Sequence, residues 1–174
     1  MNKIINIKTK KSIDDIAEFK DNDFAPCDIR FTNIHLKELN KILKIELFSK
    51  NDLYVNSTTL HDLMQPKGKS DAHNYHNLKP EDIFNALNNL LEPECVLKVK
   101  KERYAVIPTY ISSLNEPLMV IIELHSGLIV NKKANVNKIV TIYPKSDLEE
   151  YLEKFDEKEI LYKKNEHQYR LQLP

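Results

Sequence analysis

Up to Leu91 the apolar residues of this chain recur mostly at helical spacing; beyond it they form runs and alternations typical of strands. Residues 12–20, SIDDIAEFK, open on a capping-box pattern, with Ser12 as N-cap and Asp15 three positions on. Ile13, Ile16, Ala17 and Phe19 then make a narrow apolar stripe. A second helix is predicted after Asn33, with Leu36, Leu39, Ile42, Leu43 and Leu47 on one side, and a short extended piece around Ile29 to Phe31 separates the two. Residues 1–51 therefore read as an N-terminal helical region.

From Asp52 the pattern changes, and residues 52–174 read as a second unit. Leu53-Tyr54-Val55 is a short strand, and Asn56 or Ser57 caps a helix through Leu60 and Met64. After the loop QPKGKSD, the segment LKPEDIFNALNNLL predicts a helix with Pro80 near its first position and Glu81 and Asp82 in its first turn. Pro93 ends it. CVLKVKK and RYAVIPTY then form a hairpin turning at Lys101 and Glu102, PLMVIIELH is the most apolar run and the expected central strand, and KIVTIY follows. Ser146 and Glu149 make another capping box, starting a helix through Phe155, and EILYKK with HQYRLQL closes the chain as an edge hairpin. The predicted class is α+β: a mainly antiparallel sheet with helices packed on one face, preceded by the small helical region.

Composition narrows the classes. Lys plus Arg and Asp plus Glu number 26 each, so a polyanion partner would need local basic patches. Cys27 and Cys95 are too few and too separated for a disulfide framework, and no Cys/His spacing suits a structural zinc. The start MNKIINIKTKK has too short an apolar run for a signal peptide, and no segment approaches the ~18 apolar residues of a membrane span. The chain is expected to be cytoplasmic, without a membrane partner and without a cofactor or metal.

Four pieces in order carry a resemblance: the strand and helix YVNSTTLHDL; the helix start HNYHNLKPEDI followed by LLEP; the hairpin RYAVI with the strand PLMVII; and IVTIYP followed by a helix and ILYKKN. Together they resemble the phage-encoded nuclease domains of the barnase–EndoU–colicin–RelE-like superfamily, often found at the ends of phage head-morphogenesis proteins. The resemblance covers about Asp52 to Asn165. It implies a metal-independent endoribonuclease toxin, with RNA as substrate (tRNA among the candidates) and a cognate antitoxin or immunity protein as partner. Residues 1–51 lie outside it and are expected to be a remnant or a partner-binding arm.

Cleaving RNA without a metal uses the 2′-OH as nucleophile. The protein must take a proton from that hydroxyl, deliver one to the leaving 5′-oxygen, and stabilise the extra negative charge on the phosphoryl oxygens. His76, just before the helix start at Lys79-Pro80, is the first choice for acid or base. His61 and His73 are further candidates on the substrate side, although single surface histidines are commonly only solvated. In CVLKVKK, Lys98 and Lys100 should share one strand face; in KIVTIY, Thr141 and Tyr143 should share one, opposite Val140 and Ile142. If the apolar faces pack on helices, these four polar side chains line one exposed face and join His76 as the catalytic set, with Arg103 and Lys145 binding substrate. Antiparallel sheets also put lysine and threonine toward water without any function. Tyr143 could stack on an unpaired base. Glu123 is a candidate base paired with His125, and Lys132, Lys133, Lys138 and Lys145 form an acid-free basic stretch ahead of an acidic helix.

Two other readings use the same residues. One is a non-catalytic RNA- or protein-binding module, such as a phage-derived inhibitor. The other is an ADP-ribosyltransferase toxin with Glu123 as its carboxylate.

Overall fold

The computed structural model describes residues 4–7, 13–21, 25–32, 34–66, 75–127 and 135–164. In chain order they form β1 (Ile4–Ile7), α1 (Ile13–Asp21), β2 (Asp28–Phe31), α2 (Lys37–Leu43), β3 (Leu53–Asn56), α3 (Ser57–Met64) and α4 (Pro80–Asn88). There follow β4 (Pro93–Lys100), β5 (Arg103–Pro108), β6 (Leu118–Ser126), β7 (Val136–Pro144), α5 (Leu148–Leu152) and β8 (Ile160–Lys163). The expected α+β class holds. One sheet orders eight strands as β1-β2-β3-β7-β6-β5-β4-β8, antiparallel except at β1–β2 and β3–β7. The hairpin at Lys101–Glu102 forms where the pattern put it, with Glu102 taking a positive φ of 62°. PLMVIIELH becomes β6, buried between β5 and β7. The Ser12 cap and the HQYRLQL arm lie outside the described residues.

The N-terminal region is tied more closely to the rest than expected. The extended piece at Ile29–Phe31 is β2, and it joins the same sheet antiparallel to β3; β1, which sequence reading missed, adds beyond it. Ile16, Phe19, Ile29, Phe31, Leu36, Leu39 and Phe48 belong to one core with Leu53, Leu60, Ile83, Val106, Val120 and Ile142. The helix predicted through Leu47 stops earlier, because Lys44 turns left-handed at φ 55°. The buried Asn40 then takes over, accepting from the Leu47 and Phe48 N–H groups and donating to the Phe48 carbonyl.

Strand alternation builds two layers of core. Val96, Val106 and Val120 face α1, α3 and α4. Leu97, Ala105, Ile107, Met119 and Ile121 face the other way and are covered by α5 through Leu152, with Leu148, Tyr151 and Phe155 packed alongside. The last helix thus sits on the face opposite the others.

Asp82 fixes where α4 begins. Its carboxylate is buried and accepts from the Ser113 N–H at 2.7 Å, the Ser113 hydroxyl at 2.7 Å, the Tyr110 hydroxyl at 3.0 Å and the Lys79 N–H at 3.3 Å. The last of these closes a capping box, and the other three bind the helix start to the connection between β5 and β6. Burial pushes this carboxyl up, but the bonds from Ser113, Tyr110 and Lys79 together outweigh it and hold the group below its usual range. Asp82→Ala should therefore cost about 2–4 kcal/mol of stability, by loss of charge-assisted hydrogen bonds and stranding of their donors. Because the folded carboxyl titrates below its unfolded value, its contribution is full above the unfolded value and is lost as pH falls through the folded one. Thermal melts should show the gap between wild type and Asp82→Asn constant near neutral pH and shrinking below the ordinary value of 3.8; a gap independent of pH would refute this role.

Candidate functional site

The site begins with a mismatch of strand lengths. β3 pairs with β7 only at Leu53–Asn137, Tyr54–Lys138 and Val55–Ile139, and at Asn56 the chain turns into α3. Val140 to Pro144 therefore have no strand on that side among the described residues. Asn56 makes the turn possible: its side chain caps the Thr58 N–H at 3.0 Å and donates to the Cys27 carbonyl at 3.2 Å.

The chain returns to this edge at Tyr75. Asn77 adopts φ 55°, a left-handed conformation that asparagine tolerates better than most residues. Its N–H bonds the Gln65 carbonyl at 2.9 Å and the Leu78 N–H bonds the Leu63 carbonyl at 3.0 Å, so the end of α3 holds the segment. Leu78 is buried in the core, and Lys79 is held by Asp82. These anchors aim the half-buried His76 at β7. Its Nε2 lies 3.3 Å from the Thr141 hydroxyl, and its ring centroid lies 5.7 Å from that of Tyr143 at an angle of 39°. His76 thus meets two of the other predicted catalytic residues, Thr141 and Tyr143, 65 and 67 positions further along the chain.

Tyr143 takes part through its ring and not its hydroxyl. That O–H points into the α5 layer, donating to Met119 Sδ at 3.0 Å. Burial first, and then the charge and hydrogen bond of Tyr151, push its phenol well above the usual tyrosine range. Lys145 caps the arrangement, its Nζ lying 4.7 Å from the centroid of the Tyr151 ring.

The lysines of β4 do not join this group. Lys98 pairs with Tyr104, and Tyr104 with Ile122, whose side chains pack toward α1, α3 and α4. Thr141 instead shares its row with Ile121, Ala105 and Leu97 on the α5 face. A bulge at Val99 breaks the alternation, so Lys100 pairs with Arg103. β4 also lies three strands from β7, or about 14 Å. The single polar face of Lys98, Lys100, Thr141 and Tyr143 expected from alternation is therefore not formed. Lys98 and Lys100 line a shallow cleft of about 320 Å³ with Lys101 and Lys158. A second bulge, in β7, puts Val140 on the face of Tyr143 and not beside Ile142: Ile121 pairs with Thr141 but Ile122 with Ile139.

Arg103 does reach the α5 face, one row from Thr141, and its Nε is 2.5 Å from Glu123 Oε2. Glu123 is paired with this arginine and not with His125, which is exposed and has φ 58°. Lys138 is the cross-strand neighbour of Glu123, and its side chain makes no hydrogen bond or ion pair among the described residues. His61 is engaged on its own helix, with Nδ1 3.2 Å from Asp62 and Nε2 3.1 Å from Gln65 Nε2. His73, Lys132 and Lys133 lie outside the described residues. Sequence reading missed the roles of Asn77 and Asp82; the left-handed preference of asparagine and the acidic residue at the third helical position were the available signals.

A family model described as the phage MuF C-terminal domain matches residues 67–169. The chain belongs to that family. The MuF C-terminal match takes in His76, α4, β4 to β7, α5 and β8, and begins after β1, β2 and β3, so phage descent is established for the part that carries His76 and Thr141. Neither a curated protein nor a solved structure matches the chain. Among the described residues no helix is long and apolar enough to cross a membrane.

Because the Tyr143 hydroxyl faces inward, Tyr143→Phe should leave an alkaline spectrophotometric titration to about pH 11 superimposable on wild type. It should cost about 1 kcal/mol, whereas Tyr143→Ala should cost about 3–5 kcal/mol by emptying the space beneath His76. Loss of an early-ionising phenol in Tyr143→Phe would show that the hydroxyl is exposed.

Proposed function

We propose that this chain is a metal-independent endoribonuclease of the toxin type, cleaving RNA through its own 2′-OH with His76 as the proton-transfer residue. The observation that carries this reading is the contact of His76 Nε2 with the Thr141 hydroxyl, made by a loop and a strand that meet only in the folded chain. A histidine can take and return a proton near neutral pH, as transesterification requires. Thr141 holds one ring nitrogen and the Tyr143 ring limits rotation, so the imidazole is set in one orientation before substrate arrives. Lys138 and Arg103, on the same face, supply positive charge for the phosphoryl oxygens, and the Arg103–Glu123 pair keeps the guanidinium in place. Lys98 and Lys100 are not part of this mechanism. Phage descent agrees with the phage-encoded nuclease domains that the sequence resembles, and a cognate antitoxin that covers His76 belongs to the same reading. ADP-ribosyl transfer has less support, since its carboxylate, Glu123, is bonded to Arg103.

The full chain incubated with RNA in EDTA should yield fragments ending in 2′,3′-cyclic phosphate, and His76→Ala should slow cleavage by about 100-fold or more. Intact RNA under these conditions, or full activity in His76→Ala, would overturn the assignment.

A further inference from the structure

Strand register aligns a row of polar side chains across the α5 face of the sheet. Arg30 on β2 pairs with Tyr54 on β3, Tyr54 with Lys138 on β7, Lys138 with Glu123 on β6, and Glu123 with Arg103 on β5. Their neighbours Ile29, Val55, Ile139 and Ile122 point into the opposite core, so the row lies on the α5 side of the sheet, with Tyr54 buried and the others partly exposed. Four strand spacings separate its ends, about 19 Å. The row passes beside Thr141, the partner of His76.

Its composition suits an extended polyanion. Arg30, Lys138 and Arg103 stand against Asp52 and Glu123, with the buried Asp28 two residues from Arg30 on the same strand face; Asp52 and Glu123 each engage one arginine, which leaves Lys138 as the cation of this row with no ion pair among the described residues. Arg30 is held rigidly at 2.7 Å from Asp52 with its side chain still 38% exposed. Its Nε, and the hydroxyl of Thr32 two residues on, are buried without a hydrogen-bond partner among the described residues. Idle buried donors and acceptors are costly unless something satisfies them. Tyr54 lies between the two flanking cations, and its phenol is pushed up, mainly by burial.

We propose that Arg30 and Lys138, on either side of the buried Tyr54, form with Arg103 a track for the phosphodiester backbone of single-stranded RNA leading to His76. The strands β2 and β3, which lie outside the family match, then belong to substrate binding. This rests on the endoribonuclease reading of the His76 site and assigns that site a substrate longer than a dinucleotide.

Binding, measured apart from cleavage, separates the two ideas. The probe is a short 2′-O-methyl oligoribonucleotide, which cannot be cleaved through its 2′-oxygen, compared with a 2′-O-methyl dinucleotide by fluorescence anisotropy on the full chain. Arg30→Gln should weaken oligonucleotide binding by about 5- to 20-fold and leave the dinucleotide unchanged, whereas Lys138→Ala, which also faces the reacting phosphate, should weaken both and lower the salt slope by about 0.7. Asp52→Asn, which unmasks Arg30, should tighten binding by about 3-fold; a merely structural role of the Arg30–Asp52 pair would make this variant weaken it. The track is refuted if all variants bind the oligonucleotide like wild type, if Asp52→Asn weakens binding as Arg30→Gln does, or if wild type binds no oligonucleotide. It is likewise refuted in favour of an acidic protein partner if polyglutamate displaces the oligonucleotide at lower concentration than unlabelled RNA does. Oligonucleotide binding that follows these variants without any RNA cleavage would refute the nuclease reading and leave the track standing.

Discussion

The short parallel pairing of β3 with β7 is the constraint on which the molecule depends. It lasts for three residue pairs, Leu53 to Val55 against Asn137 to Ile139. Parallel neighbours cannot be joined by a tight turn, so the chain must travel between them. Here it travels through α3, α4 and the three strands β4, β5 and β6. The pairing is pinned at its start by the buried Asn137, which donates to the Lys50 and Asp52 carbonyls at 2.8 and 3.3 Å. Its brevity matters as much as its presence: because β3 gives way to a helix at Asn56, the far half of β7 keeps an open edge for the segment around His76.

Two polar anchors turn that opening into a defined geometry. Asp82 fixes the first turn of α4 against the β5–β6 connection, and the carbonyls of Leu63 and Gln65 fix the residues just before it. His76 lies beside these restraints and inherits their precision. The proton transfer proposed for His76 would gain from this, since a ring displaced by an ångström loses much of its advantage in rate. Met119 and Tyr151 complete the support from beneath by holding the Tyr143 hydroxyl inward.

Local pattern was enough to read most elements. Pro80 with Glu81 and Asp82 marked the start of α4, and the apolar run at Leu118–Ile122 marked β6. The meeting of His76, Thr141 and Tyr143 was legible in part, because a histidine ahead of a helix start and hydroxyls on a half-buried strand are local signals. Lys98 and Lys100 were misplaced for a physical reason. Alternation predicts faces only while a strand stays regular, and one bulge at Val99 and another at Val140 each move side chains across the sheet. Strand order is not a local property either, so nothing in CVLKVKK and KIVTIY shows that two strands lie between them. The same limit hid the alignment of Arg30 and Tyr54 with Lys138, which comes from pairings between distant segments.

The central claim is that the His76–Thr141 contact is where the phosphate of an RNA strand is handled. The most direct measurement is a long-range ¹H–¹⁵N spectrum of the histidine rings while a 2′-deoxy oligonucleotide, which binds but lacks the nucleophile, is added to the full chain. The account predicts that the ring resonances of His76 move progressively to saturation while those of His61, held by Asp62 and Gln65, stay in place. Saturable binding with the His76 resonances unmoved and the amide shifts confined to the cleft of Lys98, Lys100 and Lys158 would contradict it.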